Sequence, residues 1–223
     1  MNTLTFDSRL KESELALLRQ CIGLQIDYVS FVKGSCLFTE EQKLQHIECH
    51  KTFRITFSDS SNTRYDLDFT TLKGITPLPL PEQGKLELNL HIEPLLPLRE
   101  RLKLPVKPDN IHGSLSFVQK ETLVNIKIYG NHLRAMLNQI DDYIDLDYLK
   151  ERHGLYEFPY IECDSIEVLI LELSSGLRTY IRLDEYFIMV KPQTDLLEDD
   201  YFSDHSYFPP GQKKLQHEIG INH

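Results

Sequence analysis

Two neighbouring stretches of this chain alternate apolar and polar residues with a period of two, and a short polar segment joins them. The stretches are residues 53–57 and 65–69, and the segment between them runs from Ser58 to Thr63. Successive side chains of a strand point to opposite faces, so each stretch predicts a strand with one face on a core and one in water. The polar segment predicts the turn of a β-hairpin.

Similar patterns recur along the chain. Residues 24–32, 85–92 and 186–190 predict single strands, and 166–173 with 177–183 predicts a second strong hairpin around Ser174-Ser175-Gly176. Two shorter runs, 115–119 and 123–129, suggest another hairpin around Lys120-Glu121. The turns at 60–64 and 174–178 resemble each other, which fits either an internal duplication or the ordinary preference of turns for Ser, Asn and Gly.

Three longer segments predict helices. Leu10, Leu15, Leu18 and Ile22 have near-helical spacing, and Gly23 follows as a C-terminal stop. Thr39 and Gln42 have the spacing of a capping box for a helix reaching about His50, and residues 131–153 predict a further helix with a bend. The predicted fold class is therefore α+β, with antiparallel β-hairpins forming one or two small sheets and with packed helices.

Prolines at positions 77, 79 and 81 interrupt regular structure and predict a connector. They divide the chain into a helix-plus-hairpin lobe at 1–75, an α+β lobe at 76–190 and an acidic-aromatic tail at 191–223. A chain of 223 residues is also short enough for the first two lobes to form one continuous domain.

The formal net charge of -10 argues against a nucleic-acid partner and favours a basic protein partner. The first residues lack a basic segment followed by an apolar run, and the most apolar stretch, Ile166 to Leu173, is too short to span a bilayer. We therefore expect a cytoplasmic chain without membrane contact, whose four widely spaced cysteines are reduced.

Two clusters carry possible metal ligands. On a helix, His46, Cys49 and His50 would share a face and present zinc ligands, although no fourth ligand is evident. A polar helix face with a chance cysteine is the competing and simpler interpretation. The sequence Asp141-Asp142-Tyr143-Ile144-Asp145 resembles the DDxxD motif with which prenyl synthases hold magnesium and a diphosphate. Those enzymes are helical bundles, however, and a solvated face or a second helix capped by Asp145 is the competing interpretation.

No nucleophile elbow and no glycine-rich phosphate loop occurs in the sequence, so we predict no cofactor and favour binding over catalysis. The tail mixes carboxylates with aromatic residues, which either dock on the chain itself or anchor a partner. These candidate partner-binding residues are Asp195, Glu198, Asp199, Asp200, Tyr201, Phe202, Asp204, Tyr207 and Phe208.

The sequence thus predicts an inhibitor or immunity-type protein that neutralises a basic partner, such as a toxin nuclease, by presenting carboxylates to its positive cleft. Two alternatives remain open. One is a metal-dependent hydrolase or other enzyme that uses the His46 or Asp141 cluster. The other is a structural or assembly subunit in which hairpin edges pair with copies of the chain or with another chain.

Overall fold

A computed structural model describes residues 3–7, 9–38, 44–61, 63–72, 85–94, 111–136, 160–183, 188–204 and 213–221. These residues form ten strands and two helices. The helices are α1 (Glu12–Cys21) and α2 (Glu198–Asp204). The strands are β1 (Thr3–Asp7), β2 (Gln25–Phe38), β3 (Leu44–Ser58), β4 (Thr63–Leu72), β5 (Lys85–Pro94), β6 (Ile111–Met136), β7 (Tyr160–Leu173), β8 (Arg178–Leu183), β9 (Ile188–Thr194) and β10 (Lys213–Gly220).

All ten strands belong to one sheet with the order β1-β7-β8-β9-β3-β2-β6-β10. Strand β4 pairs with β3, and β5 pairs with β4, off this path. Only β1 and β7 run parallel among the described pairings. Because β6 also pairs with β7, the strands β7, β8, β9, β3, β2 and β6 form a closed ring.

The main core contains side chains from the ring strands together with one face of α1 and the inner face of β4 and β5. Phe53, Phe57 and Phe69 are fully buried there, and the rings of Phe53 and Phe69 lie 5.9 Å apart. Helix α1 contributes Leu15 and Leu18 to this core. The alternating apolar residues that predict strands in the sequence are therefore the residues that fill the core.

Several predicted elements are confirmed. Helix α1 ends just before Gly23, whose φ of +85° is a left-handed conformation that glycine adopts at little cost. The first hairpin pairs Phe53 with Phe69 and Phe57 with Tyr65. The second hairpin joins β7 to β8, and Gly176 with φ +88° lies in its turn.

The predicted α+β class is wrong, because the described chain is mainly β with one large sheet and only two helices. Residues 44–50 belong to β3 and residues 131–136 to β6, where the sequence predicts helices. The hairpin predicted around Lys120-Glu121 is also replaced by the continuous strand β6. In each case pairing with a distant strand outweighs a local helix or turn signal.

Pairing also links the two predicted lobes, since β2 pairs with β6 and β3 pairs with β9. The predicted connector with Pro77, Pro79 and Pro81 lies outside the described residues. Within the described ranges, no helix combines the length and the hydrophobicity needed to cross a membrane.

Candidate functional site

The chain changes direction at the end of β9, immediately before the acidic-aromatic segment. The pairing of β8 with β9 shifts between Arg178 and Tyr180, opposite Pro192 and Gln193. Pro192 has no backbone donor to lose at such a bulge, and Gln193 adopts φ +39°, a left-handed conformation. The backbone N–H of Gln193 donates to Thr179 Oγ1 at 3.2 Å, which helps to hold the bend.

Beyond this bend, the chain packs against the outer face of β6, β7 and β8. Tyr201 is 2% exposed and stacks on Tyr180 with ring centroids 4.0 Å apart. Phe202 contacts Tyr129 edge-on at 5.0 Å. Tyr180 also donates its hydroxyl to the Leu196 carbonyl at 2.6 Å. These contacts form a second apolar cluster, separate from the main core, with Val168 and Ile170 in its floor.

Charged side chains fasten the same segment to the sheet. The Glu198 carboxylate accepts hydrogen bonds from Lys127 Nζ at 2.6 Å and from the Tyr129 hydroxyl at 2.5 Å. Lys127 Nζ also lies 3.2 Å from Glu172 Oε1, and Asn125 donates to Glu172 at 2.9 Å. Lys127 therefore joins a carboxylate of β7 to a carboxylate of α2.

The protonation states of this cluster follow from its contacts. Burial disfavours the charged form of Lys127, but the bonds to Glu198 and Glu172 outweigh burial and raise its pKa. Burial, together with the Glu198 carboxylate, raises the pKa of Tyr129 to about 12. For Glu172, the bonds from Asn125 and Lys127 outweigh burial and lower the pKa. At neutral pH Lys127 is therefore charged, Glu172 is a carboxylate and Tyr129 is neutral.

The opposite side of this segment faces solvent. Asp195, Asp199 and Asp200 are exposed, and Leu197 is 57% exposed between them. We call residues 195–202 the docked segment. Its side chains Glu198, Tyr201 and Phe202 contact the sheet, while three carboxylates and Leu197 are exposed to solvent. Tyr207 and Phe208 lie outside the described residues, as does the side chain of Asp204.

The predicted zinc ligands are not brought together. They lie on strand β3, where alternate side chains point to opposite faces. Cys49 is fully buried, and burial raises its pKa to about 12, whereas His50 is exposed and His46 is close to Glu48 at 3.3 Å. No group of three or more potential metal ligands occurs among the described residues, and Asp141, Asp142 and Asp145 lie outside them.

A second charged cluster lies on the polar face of the first hairpin. Arg54 forms two bonds to Asp68, at 2.5 and 2.8 Å, and Arg64 binds Asp66 at 2.7 Å. Thr56 donates to Asp66, also at 2.7 Å. The two arginines balance the two carboxylates, so this cluster has the composition of a structural ion-pair network.

The sequence interpretation did not identify Lys127, Tyr129 or Glu172. The sequence of β7 contains one indication that a further segment packs near them. Four successive residues, Val168, Leu169, Ile170 and Leu171, are apolar and buried although their side chains point alternately to the two faces of the strand. A strand that is apolar on both faces needs cover on both. The aromatic residues of the tail are suitable cover for the second face, and the polar groups beside that face then become candidates to hold it.

In comparisons with known proteins, no family model, no curated protein and no solved structure matches this chain.

Proposed function

We propose that this chain is a protein-binding module whose docked segment contacts a basic protein partner. The proposal rests on the two sides of the docked segment, one of which packs on the sheet while the other is exposed to solvent. Glu198, Tyr201 and Phe202 hold the segment against the sheet, and the carboxylates around Leu197 remain exposed.

Each part of this surface has a physical role in binding. Exposed carboxylates on a chain of net charge -10 attract a basic surface at long range and accelerate encounter. Burial of the remaining exposed surface of Leu197, which is 57% exposed, would then contribute about 1 to 2 kcal/mol in favour of the complex. A segment already fixed to the sheet loses little conformational entropy on binding, which favours affinity.

To test the proposal, the wild-type chain and two variants are immobilised, and the proteins that each captures from a lysate of the native cell are identified and compared. The test variant is the triple substitution Asp195→Asn, Asp199→Asn and Asp200→Asn. The matched control neutralises three exposed carboxylates of β1, α1 and β10, by Asp7→Asn, Glu12→Gln and Glu218→Gln, and so changes net charge equally. We expect a basic protein that the wild-type chain and the control capture and the test variant loses.

Two further measurements sharpen this test. Raising the salt concentration should slow association with the captured protein more than it speeds dissociation, because long-range attraction acts on encounter. The inhibitory role that the sequence predicts is tested by adding the chain to the purified partner and measuring the partner's activity. A set of captured proteins that is the same for all three chains would contradict the proposal.

A further inference from the structure

Strand β5 offers a long, regular strand edge. All ten of its residues pair with β4, from Lys85 opposite Leu72 to Pro94 opposite Thr63, without a bulge. No strand in the described part of the chain pairs with its other edge. The backbone groups along such an edge can pair with another strand.

The other two outermost strands of the described sheet, β1 and β10, are less suited to pairing with a further strand. Strand β10 contains a bulge between Leu215 and His217, which interrupts regular pairing. Strand β1 has only five residues. Short strands and bulges are two features that protect sheet edges from association, and β5 has neither.

The two faces of β5 differ in chemistry. Leu86 and Leu88 are 3% and 4% exposed and belong to the main core, while Ile92 on the same face is 52% exposed. Glu87 and His91 lie on the other face and are exposed, as is Asn89 between them. A paired strand must therefore place apolar residues beside Leu86 and Leu88 and polar residues beside Glu87 and His91.

A second copy of β5 meets this requirement when the two strands run antiparallel about a two-fold axis at Asn89. In that register Asn89 lies opposite Asn89 of the second copy, and Glu87 lies opposite the second copy's His91. On the other face Leu88 lies opposite Leu90, and Leu86 opposite Ile92, again between copies. Like faces match because residues of equal parity are paired.

The pairing of side chains favours this register over the two nearest registers that match the same faces. A shift that places the axis at Leu90 puts Glu87 opposite Glu93 of the second copy, and like charges opposite each other are unfavourable. The opposite shift, with the axis at Leu88, puts Glu87 opposite Asn89 and leaves His91 without a carboxylate from the second copy. With the axis at Asn89, His91 lies near two carboxylates, because its Nε2 atom is already 3.7 Å from Asp68.

We propose that two copies of this chain associate edge to edge through β5, antiparallel, with the two-fold axis at Asn89. The two sheets then form one continuous sheet, and Ile92 is covered beside Leu86 of the other copy. This inference does not depend on the docked segment, which lies on other strands, and a dimer would present two docked segments at once.

Cysteine substitution tests both the association and its register. Residues directly opposite in antiparallel strands have Cα atoms about 4.5 to 5.5 Å apart, within the range of a disulfide. Asn89→Cys should therefore form a disulfide-linked dimer with itself under mild oxidation. Glu87→Cys alone and His91→Cys alone should not, because two copies of either position would be about 14 Å apart along the strands. A mixture of Glu87→Cys and His91→Cys should form the mixed dimer.

The unmodified chain is oxidised in the same way, to show how much linkage comes from its native cysteines. Its mass in solution is then measured by sedimentation equilibrium from nanomolar to high micromolar concentration. We expect a reversible dimer. The substitution Ile92→Lys should raise its dissociation constant at least about tenfold, because it places a charge in an apolar contact. Leu197→Lys, an equally exposed position on the docked segment, should leave the dimer unchanged. A chain that remains monomeric throughout, or Glu87→Cys that links to itself, would overturn the proposal.

Discussion

Tyr201 stacks on Tyr180 with their ring centroids 4.0 Å apart and their planes 14° from parallel. One ring belongs to α2 and the other to β8, so this contact attaches the acidic-aromatic segment to the sheet. The segment is therefore part of the folded domain, and its stability can be tested separately from any binding that it supports.

Replacing Tyr201 with Ala should lower the free energy of unfolding by about 3 kcal/mol, because a buried aromatic side chain is removed from two packed neighbours. Leu197→Ala, in the same segment but at an exposed position, should change it by less than about 0.5 kcal/mol. Denaturant unfolding measures both values. Equal losses for the two variants would show that the segment is not docked in solution.

Lys127 and Glu198 should be energetically coupled, because Lys127 Nζ binds Glu198 directly and both side chains are largely shielded from solvent. A double-mutant cycle with Lys127→Met and Glu198→Gln should give a coupling free energy of about 1 to 2 kcal/mol. Combining Lys127→Met with Glu12→Gln on α1 should give additive effects. If the Lys127–Glu198 pair is additive too, the ion pair contributes nothing to docking.

Alkaline pH should destabilise the fold. Burial raises the pKa of Tyr129, Tyr180 and Tyr201 to about 12 in the folded chain, against about 10 in the unfolded chain. Between these values the unfolded chain has released protons that the folded chain retains, so stability is full below about pH 10 and falls as pH rises toward 12.

Denaturant unfolding at several alkaline pH values measures this loss, and tyrosinate absorbance follows the ionisation itself. Tyr201→Phe removes one of the three groups and should make stability fall less steeply with pH. An unchanged slope in this variant would mean that Tyr201 ionises in the folded chain as readily as in the unfolded one.

The left-handed conformation of Gln193 gives a further prediction. Glycine adopts φ +39° without strain, whereas a β-branched residue is strained there, so Gln193→Val should be less stable than Gln193→Gly by about 1 to 2 kcal/mol. Lys191, in the regular part of β9, should show the reverse order for the same two substitutions. Thermal or denaturant unfolding measures the stability of the four variants. If Val and Gly rank in the same order of stability at both positions, the left-handed conformation of Gln193 is contradicted.

Local patterns in the sequence predict local structure well here. The spacing of Leu15 and Leu18 predicts α1, and the alternation around Phe53 predicts the first hairpin, because both signals come from neighbours along the chain. The signal at 44–50 is ambiguous, since Ile47 and Cys49 alternate like a strand while Thr39 and Gln42 resemble a helix cap. Only pairing with β2 and β9 decides for the strand.

The candidate site is harder to predict because its parts come from distant segments. Lys127, Glu172 and Glu198 lie on β6, β7 and α2, and no spacing in the sequence links them. The tail sequence does show that aromatic residues need cover. Which of them are covered depends on contacts with β6, β7 and β8, which are distant from the tail in the sequence.

The closed ring of strands has a consequence for how the chain acquires its structure during synthesis. The pairing of β3 with β9 joins residues 47–49 to residues 188–190, so the ring cannot close until most of the chain has left the ribosome. Until then β2, β3 and β4 can form hairpins, but the edge of β3 that β9 later covers stays open. Pairings between distant segments also form slowly, because chain entropy is lost before the contacts are gained. A nascent chain therefore exposes pairing-competent backbone for much of its synthesis, and protection of that edge by a chaperone would favour correct folding.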